Sequence, residues 1–311
     1  MTTMTERVVY GPPIASRAPP PLPPAIAALA DQLAQLAGSV SVVLGGSRAM
    51  GTAAPSSDWD LGVYYRGDLD LAPLRAYGDV HPPGSWGRIM NGGAWLTIDD
   101  GTAPPFGSAA GRVHAPAGDG TALFGSAAGR VQAPAGDAQR VDIILRDLDV
   151  VETWSARAHT GGFEIDLLLG YLAGIPTYSL LAELAVAVPL RGPLPVLAPS
   201  SSSKARGELP PPLAASAPPR WRFHRDFSLE QARARARRGD LIGATGQCAR
   251  AIIEHGHAVL CARRQWVLNE KHVIERAGLG QLHGRFTAVP HDPPALTVWV
   301  EDLASALRSM T

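Results

Sequence analysis

The chain has 311 residues, with 28 basic and 28 acidic side chains, so no overall field would draw it to nucleic acid or to an anionic membrane. Its apolar fraction of 46% suffices to bury the cores of two folded units. Two cysteines, Cys248 and Cys261, are too few for a disulfide framework, and no run is apolar enough for a bilayer span or a signal core, so a cytoplasmic protein with no membrane partner is expected.

Residues 1–24 are proline-rich and read as an extended arm. "AIAALADQLAQLAG" (25–38) has helical spacing and ends on Gly38. "SVSVVL" (39–44), "DWDLGVYY" (58–65), "AWLTID" (94–99) and "VDIIL" (141–145) read as strands. Between the last two lies a direct repeat, "FGSAAGRVHAPAGD" (106–119) and "FGSAAGRVQAPAGD" (124–137), whose copies differ only at His114 and Gln132. Two Gly/Ala/Pro copies bury no core of their own, so residues 104–138 are read as a flexible insertion into what was once a hairpin.

Helical patterns follow in 148–161, "FEIDLLLGYLAG" (163–174) and "YSLLAELAVAV" (178–188), the last two separated by Ile175 and Pro176. A Pro/Ser-rich stretch, 191–220, reads as a linker, and 221–311 as an all-helical unit with Asp240 capping a long helix. The expected fold is therefore α+β: a mixed-sheet domain over 25–190, then a helical bundle.

The stretch "GGSRAMGTAAPSSDWDLGVYY" (45–65) carries the chemistry. Alternate strand residues share a side, so Asp58 and Asp60 should project together, about 7 Å apart at the backbone, while Trp59 and Leu61 face the core. Two such carboxylates repel unless a cation lies between them, and Mg²⁺ prefers one or two carboxylates plus phosphate oxygens. Gly45 and Gly46 would let the backbone approach a phosphate, with Ser47 and the amides of the next helix hydrogen-bonding it and Arg48 as a further clamp.

A strand, a Gly-Gly-Ser turn, a short helix and a strand bearing Asp-x-Asp resemble the DNA polymerase beta nucleotidyltransferase superfamily, on Gly45, Gly46, Ser47, Gly51, Asp58 and Asp60. The resemblance covers 25 to about 160. It implies a third carboxylate on a later strand, Asp142 in "RVDIILRD" with Asp147 as the fallback. It also implies transfer of a nucleoside monophosphate from a triphosphate, ATP being the expected donor, with Asp58, Asp60 and Asp142 holding two Mg²⁺ ions and pyrophosphate leaving beside Gly46, Ser47 and Arg48. A sheet domain followed by helices also resembles the minimal and kanamycin nucleotidyltransferases. That makes the expected acceptor a hydroxylated small molecule such as an aminoglycoside, or a protein hydroxyl.

"CARAIIEHGHAVLC" (248–261) does not read as a zinc site, because on one helix His257 and Cys261 lie opposite Cys248 and His255. Asn269, Glu270 and Gly278 fit a helix cap, first turn and stop, against a role for Glu270 or Lys271 in the site. Glu164, Asp166 and Glu183 are candidate acceptor-side carboxylates or helix surface. Arg233, Arg235, Arg237 and Arg238 read as a solvated face. A non-catalytic nucleotide-binding module is the alternative; an RNA-end nucleotidyltransferase is less favoured, since no basic, aromatic-interleaved surface stands out. Whether a homodimer forms is open.

Overall fold

The computed structural model describes residues 20–98, 139–193 and 208–310. The arm up to residue 19, the repeat at 106–137 and residues 194–207 of the expected linker lie outside the described residues. The chain divides into two compact units, Met1–Glu152 with Glu183–Gly207, and Thr153–Ala182 with Glu208–Thr311.

In chain order the first part runs α1 (Pro24–Ala34), β1 (Ser39–Leu44), α2 (Gly46–Met50), β2 (Trp59–Tyr65), a 3-10 turn (Ala72–Ala76), β3 (Gly78–His81), β4 (Gly92–Ile98), β5 (Gln139–Asp147) and α3 (Leu148–His159). After the two-residue strands β6 (Ile165–Asp166) and β7 (Ile175–Pro176) come α4 (Ser179–Val186) and β8 (Val188–Arg191). Six strands form one mixed sheet in the order β3-β4-β5-β2-β1-β8. β2 and β5 run parallel; every other neighbouring pair is antiparallel. The sequence showed four of these strands. β3 is short and carries glycine and aspartate, and β8 begins with Val-Pro, so neither has the β-branched run that marks an interior strand.

Alternation gives the sheet two unlike faces. Leu61 and Val63 of β2, Val141, Ile143 and Leu145 of β5, Ala94, Leu96 and Ile98 of β4 and Leu44 of β1 pack with Ile26, Leu29 and Leu33 of α1 in one core. At about 25 cal/mol per Å² of apolar surface removed from water, this face stabilises the domain. The other face carries Asp60, Gly62 and Tyr64 on β2, Asp142, Ile144 and Arg146 on β5, and Gly93 and Trp95 on β4. Ile98 lies opposite Gln139, so β4 and β5 pair as neighbours on either side of the long intervening segment.

Two expectations about helices change. "FEIDLLLGYLAG" is not a helix: Ile165 and Asp166 pair with Pro176 and Ile175, while Leu167, Leu169 and Leu172 stay exposed. The Glu270 carboxylate accepts the amides of Leu172 (2.8 Å) and Ala173 (2.7 Å), giving this loop the hydrogen bonds that a helix would have provided. Residues 211–219, expected in a linker, open the long helix α5 (Pro211–Ala236). Pro211 and Pro212 fall in its first turn, where an absent N–H is harmless; Pro218 and Pro219 lie inside it, and the segment stays helical while Leu213, Ala217 and Trp221 are fully buried. α6 (Leu241–Ala262), α7 (Val273–Ala277), a 3-10 turn (Gly280–Ala288) and α8 (Pro293–Ser309) complete this helical part. Asp240 caps α6 by accepting from Gly243 N at 2.8 Å.

Candidate active site

The turn between β1 and α2 is built around Asp60. Gly45 N donates to Asp60 O at 2.8 Å, and Gly46 has φ +58°, a left-handed conformation natural to glycine. A Cβ at position 46 would also collide with Asp60 Oδ2, so the glycine leaves the space that the carboxylate fills. The turn and the aspartate form one unit, a closer relation than a backbone approach to phosphate alone would need. Ser47 lies in the first turn of α2, and its carbonyl accepts from Thr52 N at 2.9 Å.

Asp60 and Asp142 are register partners on the parallel strands β2 and β5, about 4.8 Å apart at the backbone and directed to the same face. Asp142 in turn lies opposite Trp95 of β4, and Trp95 opposite Asp79 of β3. A single row therefore crosses the sheet: the glycine turn, Asp60, Asp142, Trp95, Asp79. Asp147, the fallback, is placed differently, its Oδ1 accepting from Asp149 N at 2.9 Å at the head of α3.

Asp58 carries an ion pair that the sequence did not announce. It lies one residue before β2, which begins at Trp59, and its partner Arg140 is on the side of β5 that carries Asp142. Arg140 Nε lies 2.7 Å from its Oδ1, with both side chains about one-third exposed. Arg48 is also committed, donating to the carbonyls of Ser57 (2.6 Å) and Asp58 (3.2 Å) with its guanidinium 4.1 Å from the centre of the Trp59 ring. It braces the loop that delivers Asp58, and in this conformation it does not clamp a phosphate.

Like carboxylates at register-paired positions repel, and a hard cation with oxygen preference removes that cost. Asp60 and Asp142 fit such an ion by chemistry and position, whereas Asp58 is turned to Arg140. Among the described residues no three His, Cys, Asp or Glu side chains converge closely enough to hold a metal.

The remaining sequence candidates have partners of their own. Glu183 is bound at both oxygens by Arg146, at 2.7 Å each, beside the buried Tyr64, whose phenol is pushed up chiefly by burial. Glu164 faces Arg157 at 3.6 Å, and Asp166 sits in β6. Glu270 holds the Leu172–Ala173 amides and Lys271 N donates to Asn269 Oδ1, so this segment forms a loop anchor where a helix start was expected. Arg233 is no solvated face: Glu301 binds it at 2.7 and 3.1 Å.

Sequence reasoning missed Arg140, His81, Trp86 and Trp95. Trp95 was legible in principle, since in "GAWLTI" it alternates out of phase with Ala94, Leu96 and Ile98 of the core.

Residues 26–81 match the family model of the nucleotidyltransferase domain. The match spans α1 through β3, including Gly45, Gly46, Ser47, Asp58 and Asp60, and ends before Asp142. Residues 26–81 of the first unit thus carry a nucleotidyltransferase domain of the polymerase beta type, within a mixed sheet with helices. No curated protein matches the chain. Among the described residues no helix is long and apolar enough to cross a membrane.

Proposed function

We propose that the protein transfers a nucleoside monophosphate from a triphosphate, with ATP the expected donor, to a hydroxyl of a small molecule or protein, and releases pyrophosphate. The observation that carries this reading is the pairing of Asp60 with Asp142 beside the Gly45–Gly46 turn. Magnesium held by Asp60 and Asp142, and by Asp58 once it leaves Arg140, would supply charge neutralisation at the triphosphate and the acceptor oxygen. The chain's own groups do the rest. The Gly46–Ser47 turn receives the phosphates at the β1 end of the row, and Arg48 fixes the Asp58 loop. Asp142 stands on the far side of Asp60 from the turn, positioned to take the acceptor's proton. The acceptor oxygen forms a bond to the α-phosphorus as the bridging P–O bond breaks, its proton passes to the Asp142 carboxylate, and the electron pair departs with pyrophosphate.

Melting curves with each nucleoside triphosphate, with and without Mg²⁺, test this. A ligand at a hundred times its Kd stabilises by about 2.7 kcal/mol, which raises the melting temperature by roughly 5 to 10 °C. The rise should require Mg²⁺ and disappear in Asp60→Asn and Asp142→Asn. No rise with any triphosphate on the wild type would sink the reading. The Arg140–Asp58 ion pair favours a second one, a nucleotide-binding module without turnover. It would show as a triphosphate shift indifferent to Mg²⁺.

A further inference from the structure

The helix α5 turns one side inward and leaves another to solvent. Leu213, Ala217, Trp221, Leu229 and Ala232 are fully buried, whereas Phe223 and Phe227, one turn apart, keep 67% and 60% of their surface exposed. Single exposed apolar residues are ordinary, but two aromatic side chains adjoining on one helix face form a patch.

The charges at the two ends of this patch have opposite sign. Arg220 lies three residues before Phe223, and Glu230 three residues after Phe227; both are exposed and, at helical spacing, on the same side as the rings. Arg220 is fixed in place, donating to Phe163 O with its guanidinium 4.6 Å from the centre of the Phe163 ring. Glu230 stands 3.3 Å from Arg233 in an exposed ion pair, a contact weak enough for the carboxylate to take a second cation.

This arrangement selects the occupant. An RNA strand or an anionic membrane would meet Asp226 and Glu230 beside the rings and be repelled. A second copy of the same helix, laid antiparallel about a two-fold axis level with Arg225, is complementary instead: Phe223 then faces the partner's Phe227, and Arg220 faces the partner's Glu230, each contact occurring twice. We infer that the outer face of α5 is a self-association surface through which two copies of this chain pair in antiparallel fashion. At roughly 200 Å² per aromatic side chain, the four rings together would remove about 500 Å² from water. A stable interface buries about 1,600 Å² in total, so the rings make its apolar centre and the dimer belongs to the weak, concentration-dependent class.

Sedimentation equilibrium of the full chain over roughly 1 to 100 μM tests it. The wild type is expected to show a reversible monomer–dimer equilibrium, weakened about tenfold or more in Phe223→Glu and in Phe227→Glu. Arg220→Glu and Glu230→Arg should each weaken it several-fold, because like charges then face one another twice. Mixed in equal amounts, these two charge variants should regain association, since in the mixed dimer both contacts again join an arginine to a glutamate. Should Arg220→Glu fail to fold by circular dichroism, having lost its hold on Phe163, Glu230→Arg and the two phenylalanine variants carry the comparison. A wild type that stays monomeric over the whole range, or a dimer indifferent to both phenylalanine changes, overturns the proposal. So does a mixture of the folded charge variants that remains monomeric, because the antiparallel register requires its recovery.

Discussion

A side chain at position 46 would have to share space with the carboxylate of Asp60, at a backbone angle of φ +58°. Gly46→Ala is therefore expected to cost about 1–2 kcal/mol from the left-handed conformation alone, with the displaced Asp60 adding to it. It should also remove the Mg²⁺-dependent triphosphate shift. Urea denaturation and the melting series check both, and an alanine variant of wild-type stability would show that the turn is not built around Asp60. At this scale the sequence was readable where chemistry is local: Gly45, Gly46 and Asp60 lie on consecutive elements, and strand alternation fixes where Asp60 points. It was not readable where partners are distant. Nothing near Asp58 announces Arg140, and nothing near Trp95 announces Trp86 stacked on it.

Among the elements, α6 is where buried polar groups concentrate. Its spacing and its Asp240 cap were legible because both are features within one helix. What its inner face touches was not. His257 stacks on Trp221 at 4.2 Å, and burial, then Arg276, pushes its imidazole down to about 3. His255 lies between Arg225 and the Met310 carbonyl, with Arg222 and Asp226 acting on it as well; burial first, then Arg225, lowers it to about 4. Both rings are neutral in the folded protein at pH 7. The unfolded imidazoles, near 6.5, bind more protons as pH falls, so stability is full above pH 6.5 and declines toward pH 4. Each histidine contributes a slope approaching 1.4 kcal/mol per pH unit, about 2.7 for the pair between roughly pH 5.5 and 4.5. Denaturation across pH 7 to 4.5 should show this decline, and His257→Phe should remove about half of it. A wild-type stability flat over that interval would contradict the burial of these rings.

For the whole molecule, the α+β character was visible in the order of apolar runs, and the site region in one motif. The two units were less legible, because the stretch expected to link them contains the first turns of α5, and the short strands β6 and β7 carry no periodic signal. The pairing of Ile98 with Gln139 bears on the segment between β4 and β5. Replacing residues 99–138 with an Asn-Gly turn should leave the Mg²⁺–triphosphate shift intact and stabilise by up to about 2 kcal/mol, since loop closure costs less for a shorter connection. Melting curves decide it, and a variant that fails to fold would mean the sheet depends on that segment.

The sheet can also be regarded as a message written on alternate positions, odd residues of β5 spelling the core and even residues the opposite face, on which Asp142 stands. Extra length between strands leaves that reading frame untouched, which is why a duplication could settle between β4 and β5. One residue lost inside β5 shifts the frame, turning Asp142 toward the core and Val141 toward solvent. Variation in this protein is thus permitted in the punctuation and forbidden in the words.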